Sequence, residues 1–362
     1  MKITHIVGAR PNFMKVAPVM AALAERDNVS QVLVHTGQHY DANMSRVFIE
    51  ELGLPTPNVN LEVGSGSHAV QTAQIMMRFE EVVLAQRPDL VLVYGDVNST
   101  VAAALVCAKL RVPSGHVEAG LRSFDRTMPE EVNRLLTDQI ADILFTPSAD
   151  GDRNLLREGI APEKIHLVGN VMIDTLVRLL PAAAIRSFNR DLKVSRKSYG
   201  LITLHRPSNV DDPITLRSIM EVLMEVSKDL PLLFPVHPRT RAKIEDFGLS
   251  VPNNARMQLL EPLGYLDFLR LQMAAGVVVT DSGGIQEETT YLGVPCLTVR
   301  ENTERPITVE MGTNILVGQD MQRLREELGL ILNGGAKLGQ IPPLWDGRAG
   351  ERIAAILADG GF

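Results

Sequence analysis

Val277-Val278-Val279-Thr280-Asp281-Ser282-Gly283-Gly284-Ile285-Gln286-Glu287-Glu288 changes periodicity in its middle. Its first four residues are apolar or β-branched without alternation, as a strand buried on both faces of a sheet must be. Two glycines then permit a tight turn, and residues 286–291 read as helix. A strand that passes through a Gly turn into a helix opens a strand–helix–strand unit, and such units build parallel sheets with right-handed crossovers.

The same pattern recurs on both sides of this stretch. Strands are expected over 3–8, 31–35, 90–94, 114–117, 143–145 and 165–168. In the second half they are expected over 201–204, 232–236, 257–260, 277–280, 295–299 and 314–317. Helices are expected between them, among others over 16–25, 69–86, 100–110, 129–140 and 216–228. These are too many strands for one modest doubly wound sheet. The pattern also restarts after a polar, basic segment, residues 186–199, which puts a hinge near 170–198. The expected fold is α/β, with two Rossmann-like doubly wound parallel-sheet domains, 1–170 and 171–347, facing a cleft. In such sheets ligands bind beyond the carboxyl ends of the strands.

Composition narrows the function. The 362 residues are 45% hydrophobic and 22% charged, with a net charge of −7. That excess of acid argues against a nucleic-acid coat or an anionic-membrane surface, both of which want Lys and Arg. No apolar run is long enough to span a membrane, and the N-terminus has no signal-peptide pattern. The two cysteines, Cys107 and Cys296, lie in apolar stretches and read as buried thiols, so a cytoplasmic setting is expected.

Polar residues gather just after the expected strands. Gly8-Ala9-Arg10-Pro11-Asn12-Phe13-Met14-Lys15 ends one strand and opens a helix, with Arg10 and Lys15 placed to meet an anion at the helix N-terminus. Asp281-Ser282-Gly283-Gly284 offers a hydroxyl and unpaired N–H groups to a phosphate, and Glu288 lies one helical turn further on. It lacks both the Walker lysine and the GxGxxG spacing, so neither nucleoside-triphosphate hydrolysis nor dinucleotide binding is indicated. Asp96 and Glu118 each follow a strand, and Glu131 lies in the first turn after Pro129. Three carboxylates in one cleft would raise one another's pKa and suit acid–base chemistry. Glu131 would equally serve as a partner for Arg134 at i+3. His205-Arg206 and His237-Pro238-Arg239 each follow a strand and make a cationic mouth. Any one of these loops is also what a solvated turn looks like. The sequence has no metal-ligand signature and no nucleophile elbow.

Together these motifs resemble the non-hydrolysing UDP-N-acetylglucosamine 2-epimerases, of the glycosyltransferase-B fold. The matching runs are Gly8-Ala9-Arg10-Pro11 with Lys15, Thr36-Gly37-Gln38-His39, Tyr94-Gly95-Asp96 and His116 through Arg122. They continue with Pro129 through Arg134, His205-Arg206, Thr280 through Glu288 and Thr303-Glu304-Arg305-Pro306.

The resemblance implies interconversion of UDP-GlcNAc and UDP-ManNAc. UDP leaves C1 by anti elimination to give 2-acetamidoglucal and then adds back, without an added cofactor. It implies that Asp96, Glu118, Glu131 and His205 are catalytic. It implies UDP or substrate contacts from Arg10, Lys15, Arg122, Arg206, His237, Phe268, Ser282, Gly283, Gly284, Glu288 and Arg305. Phe268 would stack on uracil and Glu288 would accept the ribose hydroxyls. Gln38 and His39 would belong to an allosteric site. A homodimer is implied, as is a last helix, from about 348, that returns to the first domain. The alternatives within the resemblance are a 2-epimerase of UDP-2,3-diacetamido-glucuronate, whose carboxylate Arg122 and Arg126 would hold, and a hydrolysing epimerase. The sequence departs from the family's usual pattern at Asn12, where Glu is common, at Val97, where Thr is common, and at Ser208, where Glu is common.

Overall fold

The strand Leu90–Tyr94 is buried at every residue, and so is Val277–Thr280; the first is the middle strand of its sheet and the second is one of two central strands in the other. The computed structural model describes residues 1–37, 49–186, 192, 194–251, 256–358 and 360. The chain divides into two compact units. One comprises Met1–Arg178 with Pro343–Phe362, and the other Leu179–Pro342. The division falls within the helix Val171–Ala184, rather than between residues 170 and 171.

In the first unit the strands are β1 (Lys2–Val7), β2 (Ser30–His35), β3 (Val59–Asn60), β4 (Leu90–Tyr94), β5 (Ser114–Val117), β6 (Ile143–Thr146) and β7 (Ile165–Leu167). Their order is β3-β2-β1-β4-β5-β6-β7, and every pairing is parallel. The chain builds outward from β1 in one direction, then crosses to the other side of β1 to lay down β4. In the second unit the strands are β8 (Gly200–Thr203), β9 (Leu232–Pro235), β10 (Met257–Leu260), β11 (Val277–Thr280), β12 (Cys296–Thr298) and β13 (Asn314–Leu316). They pair in parallel in the order β10-β9-β8-β11-β12-β13. Here the reversal falls between β8 and β11.

A parallel sheet opens a crevice at its carboxyl edge where the strand order reverses. The reversals therefore bring together the segments that follow β1 and β4 in one unit, and those that follow β8 and β11 in the other. These are the segments that carry the sequence motifs.

Apolar side chains from strands and flanking helices fill both cores. Ile6, Val34, Val91 and Val93 pack with Ile75, Phe79 and Ala103 in the first unit. Ile202, Phe234, Val279 and Leu297 pack with Leu216, Ile219 and Leu223 in the second. The last helix, Ala349–Ala358, belongs to the first unit. Its N-terminal N–H groups donate to a buried carboxylate, Ala349 at 3.1 Å and Gly350 at 2.7 Å from Asp174. Burial pushes Asp174 up to about 6, against the pull of these two hydrogen bonds. Gly350 admits no side chain, because a Cβ there would lie 2.7 Å from the Pro18 carbonyl oxygen.

Candidate active site

At the β1/β4 reversal the backbone is set by Asn12. Its Oδ1 accepts the Gly8 and Ala9 N–H groups, each at 3.0 Å, and its Nδ2 donates to the Tyr94 carbonyl at 2.8 Å. One amide therefore ties the turn after β1 to the end of β4. A glutamate, common at this position in the family, has no donor for the Tyr94 carbonyl. The next residue, Gly95, sits at φ +65°, and a Cβ on it would lie 2.5 Å from Lys15 Nζ and 3.2 Å from Glu118 Oε2. Lys15 and Glu118 are both buried and form a direct ion pair over Gly95. Glu118 itself adopts φ +78°, a left-handed conformation that costs a non-glycine residue energy and is typical of functional loops.

The other two carboxylates share Arg134. Its Nε and Nη2 reach Asp96 Oδ2 at 3.1 and 2.7 Å, and its Nη1 reaches Glu131 Oε2 at 2.5 Å. Glu131 is buried, and its oxygens also accept the Ser123 N–H and hydroxyl, both at 3.0 Å, and the Phe124 N–H at 2.9 Å. Asp96 is the open one of the three, with its side chain 23% exposed against 3% for Glu118 and 2% for Glu131. The three carboxylates are not bare acids crowding one another: Lys15 and Arg134 stand among them.

Two residues expected to contact ligand have protein partners in this unit. Lys15, expected on a diphosphate, is held by Glu118. Arg122, expected on substrate, is buried with its guanidinium fully engaged. Nε and Nη2 bind Glu158 at 2.8 and 2.6 Å, and Nη1 meets the Leu121 carbonyl and Asp138 Oδ2, both at 2.7 Å. Asp138 also meets His116 Nδ1 at 2.6 Å, while His116 Nε2 lies 2.8 Å from the Gly95 carbonyl. Burial would raise Asp138, but His116 and Arg122 hold it below the usual carboxylate range. Arg10 is exposed at the first position of the helix Arg10–Ala24. Gln38 and His39 lie outside the described residues.

In the second unit, the β8/β11 reversal carries a cationic constellation. Asp281 is fully buried and sits against His205, whose Nδ1 is 2.9 Å from Oδ1. The backbone N–H groups of His205 and Arg206 reach Asp281 Oδ2 at 3.0 and 2.9 Å, and Asn209 Nδ2 at 3.1 Å. Burial works against the charge of Asp281, yet His205, Arg206 and Asn209 keep it below its ordinary value. His237 is exposed and caps the helix Pro238–Asp246, its Nδ1 accepting the Arg239 N–H at 3.2 Å. Partial burial, then the charges of His205 and Arg239, lower its basicity.

Ser282 is the N-cap of the helix Gly283–Leu292. Gly283 is needed because a Cβ there would lie 2.4 Å from Arg305 Nη1. Arg305, expected to touch substrate, is buried and pairs with Glu287 at 2.8 Å and Glu304 at 2.5 Å. It shapes the loop beneath the helix N-terminus. Arg206 stays partly exposed, with Nε donating to the Asp281 carbonyl at 3.1 Å. Glu288 is buried and accepts the Tyr265 hydroxyl at 2.9 Å; burial pushes it up to about 7. Phe268 is half-buried and packs on the Tyr199, Leu201 and Leu271 cluster.

Asn12, Arg134 and Asp281 were not singled out by sequence as site residues. Arg134 had a local signal in its i+3 spacing from Glu131. The contacts of Asp281 with His205 span 76 residues and had none.

Two parallel α/β sheets, each with a polar constellation at its reversal, define a glycosyltransferase-B-type fold. The family profile of UDP-N-acetylglucosamine 2-epimerase matches residues 21–358, and the chain belongs to that family of sugar-nucleotide epimerases. The UDP-N-acetylglucosamine 2-epimerase of Methanocaldococcus jannaschii is 44% identical over all of both chains. The UDP-2,3-diacetamido-2,3-dideoxy-D-glucuronate 2-epimerase of Pseudomonas aeruginosa is also 44% identical, over 99% of both. The crystal structure of the M. jannaschii enzyme in complex with UDP-GlcNAc and UDP superposes with a TM-score of 0.91, over 99% of this chain and 100% of that one. The Neisseria meningitidis enzyme bound to UDP-GlcNAc gives 0.89 at 31% identity, covering 99% of this chain and all of the other.

Proposed function

We propose that this chain interconverts UDP-N-acetylglucosamine and UDP-N-acetylmannosamine by eliminating and re-adding UDP. The pairing of Asp96 with Arg134 and of Glu118 with Lys15 at the β1/β4 reversal carries the reading, since carboxyl groups held in place by fixed cations supply the oxygens that can take a proton from a sugar carbon and return one to it. In the forward step the C1–O bond breaks with its electron pair leaving on UDP. A carboxylate takes the C2 proton, and the C1–C2 double bond of 2-acetamidoglucal forms. In the return step UDP adds to C1, and C2 receives a proton on the opposite face. The sequence is redox-neutral and requires no hydride carrier.

The C2 proton is not acidic, so C1–O cleavage must run ahead and build oxocarbenium character. Nearby carboxylates stabilise that cation, and donors on the diphosphate stabilise the leaving group. The nucleotide half falls to the second unit, with the Ser282–Gly284 helix N-terminus, His205, Arg206 and His237 on the diphosphate and Glu288 on the ribose. The sugar half falls to the first. Asp96, the most exposed acid, and Glu118 are the proton-transfer pair. Glu131 positions Arg134 and the Ser123–Phe124 turn.

Identity alone does not separate the two sugars, because relatives of both specificities stand at 44%. The burial of Arg122 favours UDP-GlcNAc, as its guanidinium is not offered to a substrate carboxylate. Incubation with each UDP-sugar tests this: conversion of UDP-GlcNAc to UDP-ManNAc is expected. Conversion of the uronate alone, or release of free N-acetylmannosamine, would replace the assignment.

A homodimer through the first unit also belongs to this reading. Val70, Met77 and Leu84 recur every seven residues on the helix His68–Gln86 and are 51, 69 and 59% exposed. No helix among the described residues is long and apolar enough to cross a membrane. The free, buried Cys107 and Cys296 agree with a reducing cytoplasm.

A further inference from the structure

The proposed function leaves Asp281 without a role. Its position follows from the sheet: Thr280 pairs with Thr203, so the residue after β11 lies beside the residues after β8. Its carboxylate there takes the backbone N–H groups of His205 and Arg206, the Asn209 amide and the His205 ring. An ionised carboxylate can only accept hydrogen bonds. The ring nitrogen that faces it at 2.9 Å must therefore carry a proton.

We infer that Asp281 is a positioning residue that holds His205 with its proton on Nδ1, making Nε2 the ring atom offered to the diphosphate. The inference rests on the proposed place of His205 at the diphosphate. The His205 side chain is about half exposed, which leaves room for a ligand at the ring. The neighbouring imidazole is set the other way. His237 Nδ1 accepts the Arg239 N–H, so a neutral His237 carries its proton on Nε2. Two neutral histidines thus present one acceptor and one donor, and each is oriented by a different element. Uptake of one proton by His205 then occurs at Nε2 and turns it into a donor for the departing UDP oxygen. The logic is that of any imidazole whose second nitrogen is tied to a buried carboxylate.

The test reads the tautomer directly. Nitrogen NMR of histidine-labelled protein, recorded in alkaline buffer and assigned by subtracting the His205→Asn spectrum, should show the neutral ring protonated at Nδ1. A ring protonated at Nε2 would overturn the inference, and no variant at Asp281 needs to fold for this result. Asp281→Asn supplies the kinetic arm. It should lower kcat by at least about ten-fold while KM for UDP-GlcNAc stays within about three-fold. A rise in KM with kcat unchanged would mean that Asp281 only builds the binding loop. Full activity of His205→Asn would remove the proposed role of His205, yet leave the tautomer result standing, so the two failures are told apart.

Discussion

Lys15 and Glu118 form an ion pair in which each side chain is almost wholly withdrawn from water. Such a pair is worth little net stability, but removing one partner strands a buried charge at a cost of about 3–5 kcal/mol. Lys15→Met is therefore expected to lower unfolding stability by about that amount in a urea titration. Adding Glu118→Gln should restore most of the loss but none of the turnover. Equal stability of the single and double variants would contradict this. Glu288 makes a second prediction at this scale. Its carboxyl is raised from 4.5 to about 7 by burial, so the folded protein holds a proton there that the unfolded chain has already lost. The sign follows: this group's contribution to stability falls as pH rises from about 4.5 to about 7, then levels off. If ionised Glu288 accepts the ribose hydroxyls, UDP-GlcNAc affinity relative to Glu288→Gln should grow as pH passes through about 7. Isothermal titration across that range measures the ratio, and a flat ratio would remove Glu288 from the ribose.

Among the elements, the helix Ala349–Ala358 is held by a cap that comes from far along the chain. Asp174→Ala would leave the Ala349 and Gly350 N–H groups without their acceptor and should cost about 1–2 kcal/mol, read by urea unfolding. No change would mean that the apolar face of the helix alone docks it. The strands were legible because most are β-branched runs buried on both faces, and Val277–Thr280 was readable to the residue. Val59–Asn60 was missed, since two residues at a sheet edge carry no periodicity. The helix expected from residue 16 begins at Arg10, because Pro11 suits a first turn and Asn12 closes it. In the site, loops after strands betrayed which residues gather. Partners did not show: a lone cation in a loop, such as Arg122, Lys15 or Arg305, looks alike in sequence whether or not a buried acid faces it. Only the fold brings Glu158 to Arg122 or Glu118 to Lys15.

On the scale of the whole molecule, two sheets of one architecture each carry a polar constellation at the reversal of strand order. The second has helix N-termini and imidazoles, groups of the kind that meet a diphosphate, and the first has carboxylates, groups of the kind that move a proton. The apolar stripe on His68–Gln86 belongs at this scale too. Met77→Glu should shift sedimentation from dimer toward monomer, and an unchanged coefficient would place any dimer contact elsewhere.

The account stands or falls on C2 losing its hydrogen to the protein. Proton NMR of UDP-GlcNAc incubated with the enzyme in deuterated water follows that atom. The account predicts that UDP-ManNAc appears with deuterium at C2, that recovered UDP-GlcNAc gains it as well, and that Asp96→Asn all but abolishes both. Epimerised sugar that keeps its original C2 hydrogen would contradict it.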